Sequence, residues 1–103
     1  MRILLICGAG MSTSLLVEKM KKEGEKRGMK DLYVFADAAD NLERVIDDYD
    51  VILLGPQIRY KEKYVSELAK EKNKVYRVIP SNIYGMIDGA KTLDLAIEAL
   101  KNK

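Results

Sequence analysis

The chain of 103 residues contains no histidine. That absence excludes Ser-His-Asp triads, Cys-His dyads, histidine-ligated metals and any phosphohistidine carried here. There is one cysteine, Cys7, so no internal disulfide can form. No apolar run approaches the roughly 18 residues of a membrane-spanning helix. Met1-Arg2 opens like the basic end of a signal peptide. The apolar run that follows, Ile3 to Ile6, falls well short of a signal core of about 7–15 residues, and a lipoprotein reading of Cys7 fails on the same shortness. Charge of one sign is lacking too: 18 basic against 16 acidic residues leave a net +2, too mild to argue for nucleic acid. The expectation is a cytoplasmic protein with a reduced cysteine, no cofactor, no metal, no nucleic-acid partner and no membrane insertion.

What is present is ordinary for a globular chain: 48% hydrophobic and 33% charged residues. Surface scaling gives about 5,900 Å² folded against about 17,000 Å² unfolded, enough burial for one core without staples. One domain spanning residues 1–103 is expected. Four short apolar runs read as strands: Ile3–Ile6, Leu32–Ala36, Val51–Leu54 and Val75–Ile79. The first and third lack polar alternation, as strands covered on both faces do. Helical patterns lie between them. The first runs from Thr13 to Arg27, with Leu16 and Met20 inward and Gly28 as its stop. Its charged tail, Lys19 to Arg27, reads as a solvated face. Leu42, Val45, Ile46 and Tyr49 mark the second helix, with Asp40 and Glu43 spaced as a capping box. Val65, Leu68 and Ala69 mark the third. Leu93, Ala96, Ile97 and Leu100 mark the last, with Asp88 as N-cap.

The order βαβαβαβα predicts an α/β fold, a single doubly wound sheet of four parallel strands flanked by helices, in the flavodoxin-like order 2-1-3-4. In that order ligands sit past the carboxyl ends of strands 1 and 3. The segments Cys7–Ser14, Gly55–Tyr60 and Pro80–Asp88 then share one rim. Short strands and polar helices give no reason for an oligomer, so a monomer is expected.

Cys7 ends strand 1 and is followed by Gly8-Ala9-Gly10-Met11-Ser12-Thr13-Ser14. Small residues let the backbone curl until successive N–H groups point at one spot, and the following helix adds positive potential. Together these stabilise an anion, a thiolate and then a phosphate. Ser12, Thr13 and Ser14 add hydroxyls. No charged residue occurs from Ile3 through Val17 to repel a dianion. An inert buried cysteine beside a tight turn fits the same residues. The glycine string lacks the third glycine of a dinucleotide loop and the lysine of a Walker A loop.

Several phosphate chemistries are separable. A receiver domain needs acids after strand 1 and an aspartate after strand 3, where this chain has Cys7 and Gly55. Low-molecular-weight tyrosine phosphatases have C-x5-R-S after strand 1, and this loop has that length. Thr13 stands where the arginine would clamp the phosphoryl group. The Asp-Pro acid of that family is also missing, since Pro56 and Pro80 follow Gly55 and Ile79. A cysteine-dependent phosphatase-like enzyme is the alternative. A binding module with an unmodified Cys7 and a flavin electron carrier are more distant ones.

The whole chain resembles the IIB component of the lactose/cellobiose/chitobiose branch of the bacterial sugar phosphotransferase system. The resemblance rests on Ile3 through Ser14, on Leu54-Gly55-Pro56-Gln57-Ile58-Arg59-Tyr60, and on Pro80, Tyr84-Gly85-Met86 and Asp88-Gly89. It implies that Cys7 takes a phosphoryl group from a phosphohistidine on the IIA component. Cys7 would then pass it to a sugar, such as a β-linked disaccharide, held by the membrane IIC component. Gly8, Ala9, Gly10, Met11, Ser12, Thr13 and Ser14 are the expected phosphate-binding loop. Both partners must reach one sulfur, so docking surface should flank it. Gln57, Ile58, Arg59, Tyr60 and Tyr84 are the expected docking or loop-supporting residues, with Met11 a further apolar candidate. Each fits ordinary packing as well, and Tyr84 could instead hydrogen-bond the loop.

Overall fold

A computed structural model describes residues 1–7 and 11–103; Gly8, Ala9 and Gly10 lie outside it, and of Met11 and Ser12 the backbone alone is described. The elements run β1 (Arg2–Cys7), α1 (Met11–Lys26), β2 (Tyr33–Ala38), α2 (Leu42–Val45), β3 (Val51–Leu54), α3 (Glu62–Glu71), β4 (Val75–Val78), α4 (Ser81–Gly85) and α5 (Gly89–Lys101). The strands form one parallel sheet in the order β2-β1-β3-β4, as the alternation of segments predicts. The folded chain exposes 6077 Å², close to the scaling value.

Side-chain alternation along β1 and β3 divides the core in two. Ile3, Leu5, Val51 and Leu53 meet Leu16, Val17 and Met20 of α1 and Leu93, Ala96 and Ala99 of α5. Leu4, Ile6, Ile52 and Leu54 meet Leu42, Ile46, Ile58, Val65 and Leu68 on the other face. Continuous apolar runs are therefore what the two central strands require, because both faces are covered.

Three helices end in the same motif. Met29 N–H donates to the Gly24 carbonyl and Gly28 N–H to that of Glu25, with Gly28 at φ 74°. The same pair of bonds closes α3 through Asn73 at φ 60° and α4 through Ile87 at φ 50°. This is the Schellman arrangement, and glycine or asparagine suits its left-handed residue. Ile87 does not: a β-branched side chain there is strained. It is half-buried against the α1/α5 core, which holds it in place.

Several boundaries differ from the sequence expectation. α1 starts at Met11, so Thr13 and Ser14 lie in its first turn rather than in a loop. β2 runs two residues further than expected, to Ala38. The second helix is broken into a 3₁₀ turn (Ala39–Asn41), the single turn α2 and another 3₁₀ turn (Ile46–Asp48). The expected Asp40–Glu43 box does not form, since neither turn has a side-chain cap bond. Asp37 serves instead, its Oδ1 accepting from Ala38 N–H and Asn41 Nδ2, both at 2.7 Å. Asp88 does cap α5, accepting from Lys91 N–H at 2.9 Å. The rim segments after β3 and β4 contain a 3₁₀ stretch, Pro56–Lys61, and α4. Among the described residues no helix is long and apolar enough to cross a membrane.

Candidate functional site

The strand register brings the carboxyl ends of the central strands level. Ile6 pairs with Leu54, and Leu54 with Val78. The ladder continues one step further, with Gly55 N–H donating to the Ile6 carbonyl at 2.8 Å and Ile79 N–H to that of Leu54 at 2.9 Å. Cys7, Gly55 and Pro80 therefore leave the sheet from one rim. Cys7 is the last residue of β1, half-buried and unpaired as a thiol. Alternation puts it on the side of Ile3 and Leu5, the face covered by α1 and α5.

Thr13 lies in the first turn of α1 and is only 2% exposed. Its Oγ1 is 2.8 Å from the phenol oxygen of Tyr84, 71 residues away. Tyr84 stands on α4 and packs with Ile83 and Ile87 against the α1/α5 core. The rim segment after β4 is thus tied by one side-chain bond to the helix that follows the cysteine. Tyr84 was expected as a docking or loop-supporting residue; the structure places it on α4 with its hydroxyl bonded to Thr13.

The remaining expected residues separate. Ser14 is exposed on α1. Gln57, Arg59 and Tyr60 are exposed on the 3₁₀ stretch, Tyr60 to 76%. The Gln57 carboxamide folds back over Gly55, where a Cβ would stand 2.6 Å from its Oε1. Ile58 does not face a partner: it is 5% exposed and packs with Leu42, Leu54 and Val65. Ile58 sits at a kink in the stretch, at φ −119° and ψ 28°, and points inward between its two exposed neighbours. Gly8, Ala9 and Gly10 of the expected phosphate-binding loop lie outside the described residues, as do the side chains of Met11 and Ser12.

Sequence reasoning missed three exposed apolar residues near this rim. Leu15 on α1 is 51% exposed, Tyr64 at the start of α3 41%, and Met86 after α4 74%. Leu15 and Tyr64 sit inside helical patterns, where a core role is the default. Their neighbours Leu16 and Val65 take the buried positions instead. Behind α3, the Tyr76 phenol donates to Glu62 Oε2 at 2.9 Å. Partial burial, then that carboxylate, push its ionisation above the usual phenol range.

A half-buried thiol at a strand end, a neighbouring helix start and a rim of exposed apolar side chains can together hold a small anionic group and present it to another protein. Comparison with known proteins agrees in kind. Residues 2–95 match the family model described as PTS system, Lactose/Cellobiose specific IIB subunit. The chain is 34% identical over 102 residues to the oligo-beta-mannoside-specific EIIB component of Bacillus subtilis, covering 99% of this chain and 98% of that one. It is 39% identical over 105 residues to the cellobiose-specific EIIB component of Lactococcus lactis, covering 97% and 95%. The galactose-specific EIIB component of Lactococcus lactis is as similar, at 39% over 105 residues, again covering 97% and 95%. The solution structure of the cellobiose-specific IIB component from Borrelia burgdorferi superposes with TM-score 0.84 at 42% identity, covering 100% and 94%. The lactose-specific IIB domain of Streptococcus pneumoniae shares the fold, with TM-score 0.85 at 16% identity and 96% coverage of both chains.

Proposed function

The chain belongs to the lactose/cellobiose-specific IIB family of the sugar phosphotransferase system and is a phosphotransferase of that system, and from that premise we propose that Cys7 is its phosphoryl-carrying residue. The observation that carries the reading is the position of the chain's one thiol at the carboxyl end of β1, on the rim that α1, α4 and the Pro56–Lys61 stretch surround. With residues 1–103 acting as one unit, the Cys7 thiolate attacks the phosphorus of a phosphohistidine on the IIA component. The P–N bond breaks as the S–P bond forms, and the imidazole leaves. In the second step a sugar hydroxyl held by the IIC component attacks the phosphorus and gives up its proton. The S–P bond then breaks and the thiolate returns.

Phosphoryl transfer needs little covalent chemistry from the protein beyond positioning and charge stabilisation. Amides after β1 and the start of α1 would supply the charge stabilisation. Exposed Tyr60, Tyr64, Leu15 and Met86 supply apolar docking surface around the sulfur, and Arg59 supplies a cation. Docking takes place at the membrane through IIC, while the chain itself stays in the cytoplasm. The substrate class is a β-linked sugar. Relatives of near-equal similarity are named for oligo-beta-mannoside, galactose and cellobiose. That spread fits a sugar pocket located on IIC rather than on this chain.

Incubation with a phosphorylated IIA component should add the mass of one phosphoryl group, and peptide mapping should place it on Cys7. Cys7→Ser should fold normally and carry none by this route. Phosphate on Ser12, Thr13 or Ser14 of the unaltered protein would overturn the assignment.

A further inference from the structure

We infer that Tyr84 is a positioning residue for phosphoryl transfer: its hydroxyl holds the Thr13 side chain, and through it the first turn of α1, in register with Cys7. The inference rests on the carrier reading of Cys7 and assigns a role that reading does not require. Thr13 and Tyr84 are joined by a 2.8 Å hydroxyl–hydroxyl bond. Each hydroxyl can donate or accept, so the bond forms with either as donor. Thr13 is almost fully buried, so water cannot replace Tyr84 as its partner.

The turn that carries Tyr84 is built to hold still. Tyr84 N–H donates to the Pro80 carbonyl at 3.0 Å, and Ile87 N–H donates to the Tyr84 carbonyl at 3.0 Å. Asp88 N–H closes the turn on Ile83 at 3.1 Å, and the Asp88 carboxylate caps α5. Ile87 adopts a left-handed conformation at φ 50° where the other two helix ends use Gly28 and Asn73. Strain of this kind, of order 1–2 kcal/mol, persists only where surrounding packing over-determines it. Its site is three residues from Tyr84, on the α1/α5 side of the sheet to which Cys7 also points. Catalysis by positioning is sensitive to displacements of about 1 Å. Losing the anchor therefore slows transfer out of proportion to its effect on folding.

The test uses single-turnover transfer from a phosphorylated IIA component to the full chain, followed by intact mass. Tyr84→Phe and Thr13→Val should each slow transfer about tenfold at saturating donor. Their double variant should be no slower than either alone, because one bond is removed once. Thr13→Ser keeps the hydroxyl and should restore most of the rate, which a purely space-filling role would not predict. Circular dichroism well below the melting temperature confirms that each variant is folded. Where valine disturbs folding, the single variants Tyr84→Phe and Thr13→Ser carry the test: the first slows transfer and the second keeps most of the rate. An unchanged rate in folded Tyr84→Phe, or additive losses in the double variant, overturns the inference while leaving the carrier reading intact. Unaltered protein that accepts no phosphoryl group overturns both.

Discussion

The sharpest stability test concerns the closest approach of two helices. A Cβ built on Gly89, the first residue of α5, would lie 2.6 Å from the Lys19 carbonyl carbon, 2.7 Å from its Cβ and 2.8 Å from its oxygen. Two of those three atoms are α1 backbone, so they cannot swing aside. Gly89→Ala must push α1 and α5 apart where Val17, Met20, Leu93 and Ala96 interlock. Overpacking of this kind costs about 1–3 kcal/mol, and the gain in helix propensity returns less than 1 kcal/mol. At about 1–2 kcal/mol net, a chain of this size should lose roughly 5–9 °C of melting temperature.

Two other glycines serve as controls with different physics. Gly28 has φ 74° and nothing within 4 Å of its absent Cβ, so Gly28→Ala carries only the left-handed backbone cost of about 1 kcal/mol. At Gly24, in the last turn of α1, the obstruction is the far end of the Leu32 side chain, which can rotate, and a helical alanine gains up to about 1 kcal/mol. Gly24→Ala should be close to neutral. Thermal unfolding followed by far-ultraviolet circular dichroism ranks the three. If Gly89→Ala proves no worse than Gly28→Ala, the α1–α5 contact is not the rigid spacing described above.

Two further outcomes follow from the periphery. Folding raises the Tyr76 ionisation through burial and the Glu62 contact, so the unfolded chain loses that proton first; stability is full below about pH 10 and falls as pH rises further. Tyr49, raised by burial against the opposing pull of Arg2, acts in the same sense, and Tyr76→Phe should flatten the alkaline decline of melting temperature; an identical decline would refute the assignment. At the opposite end of the sheet, the Arg2 guanidinium lies 5.4–5.5 Å from the ring centroids of Tyr33, Phe35 and Tyr49, and its Nε donates to the Asp48 carbonyl at 2.6 Å. Arg2→Lys keeps the charge and loses the flat stack and the Nε bond, so it should cost about 1 kcal/mol and roughly 4 °C, and an unchanged melting temperature would show the stack contributes nothing.

The sheet order was legible because the chain alternates short branched runs with 3.6-residue patterns, and parallel strands with right-handed crossovers leave few arrangements. The rim followed from that order, and Cys7 from being the one thiol on it. The second helix was misread for a local reason. Its apolar spacing is helical, and Leu42 and Ile46 do point inward, but Asp37 captures the backbone at its start and the turns tighten to 3₁₀. Ile58 is buried rather than facing a partner because the stretch after Pro56 kinks at Ile58 itself and packs that side chain into the core, which residue type and spacing do not reveal. Arg2 read only as the head of a failed signal peptide, since its three aromatic partners come together through the β1–β2 pairing and the turn after α2. The Thr13–Tyr84 bond, 71 residues apart in sequence, has no local signature; only the shared rim made it a candidate.

Thr13 also sharpens the contrast with a cysteine phosphatase. From the loop length alone, this position differs from a phosphatase by one substitution, threonine for arginine. Its burial and its bond to Tyr84 make the difference larger than that. A guanidinium reaching a phosphate from this position would have to displace the Tyr84 hydroxyl and desolvate a charge against the α1/α5 core, at a cost of several kcal/mol. Placing arginine at Thr13 would therefore disturb the turn of α1 before it accelerated anything. The carrier reading gains from this arrangement. At the Thr13 position the side chain is neutral, buried and already hydrogen-bonded to a phenol, so a phosphoryl group finds no cation at that position to stabilise its transfer to water.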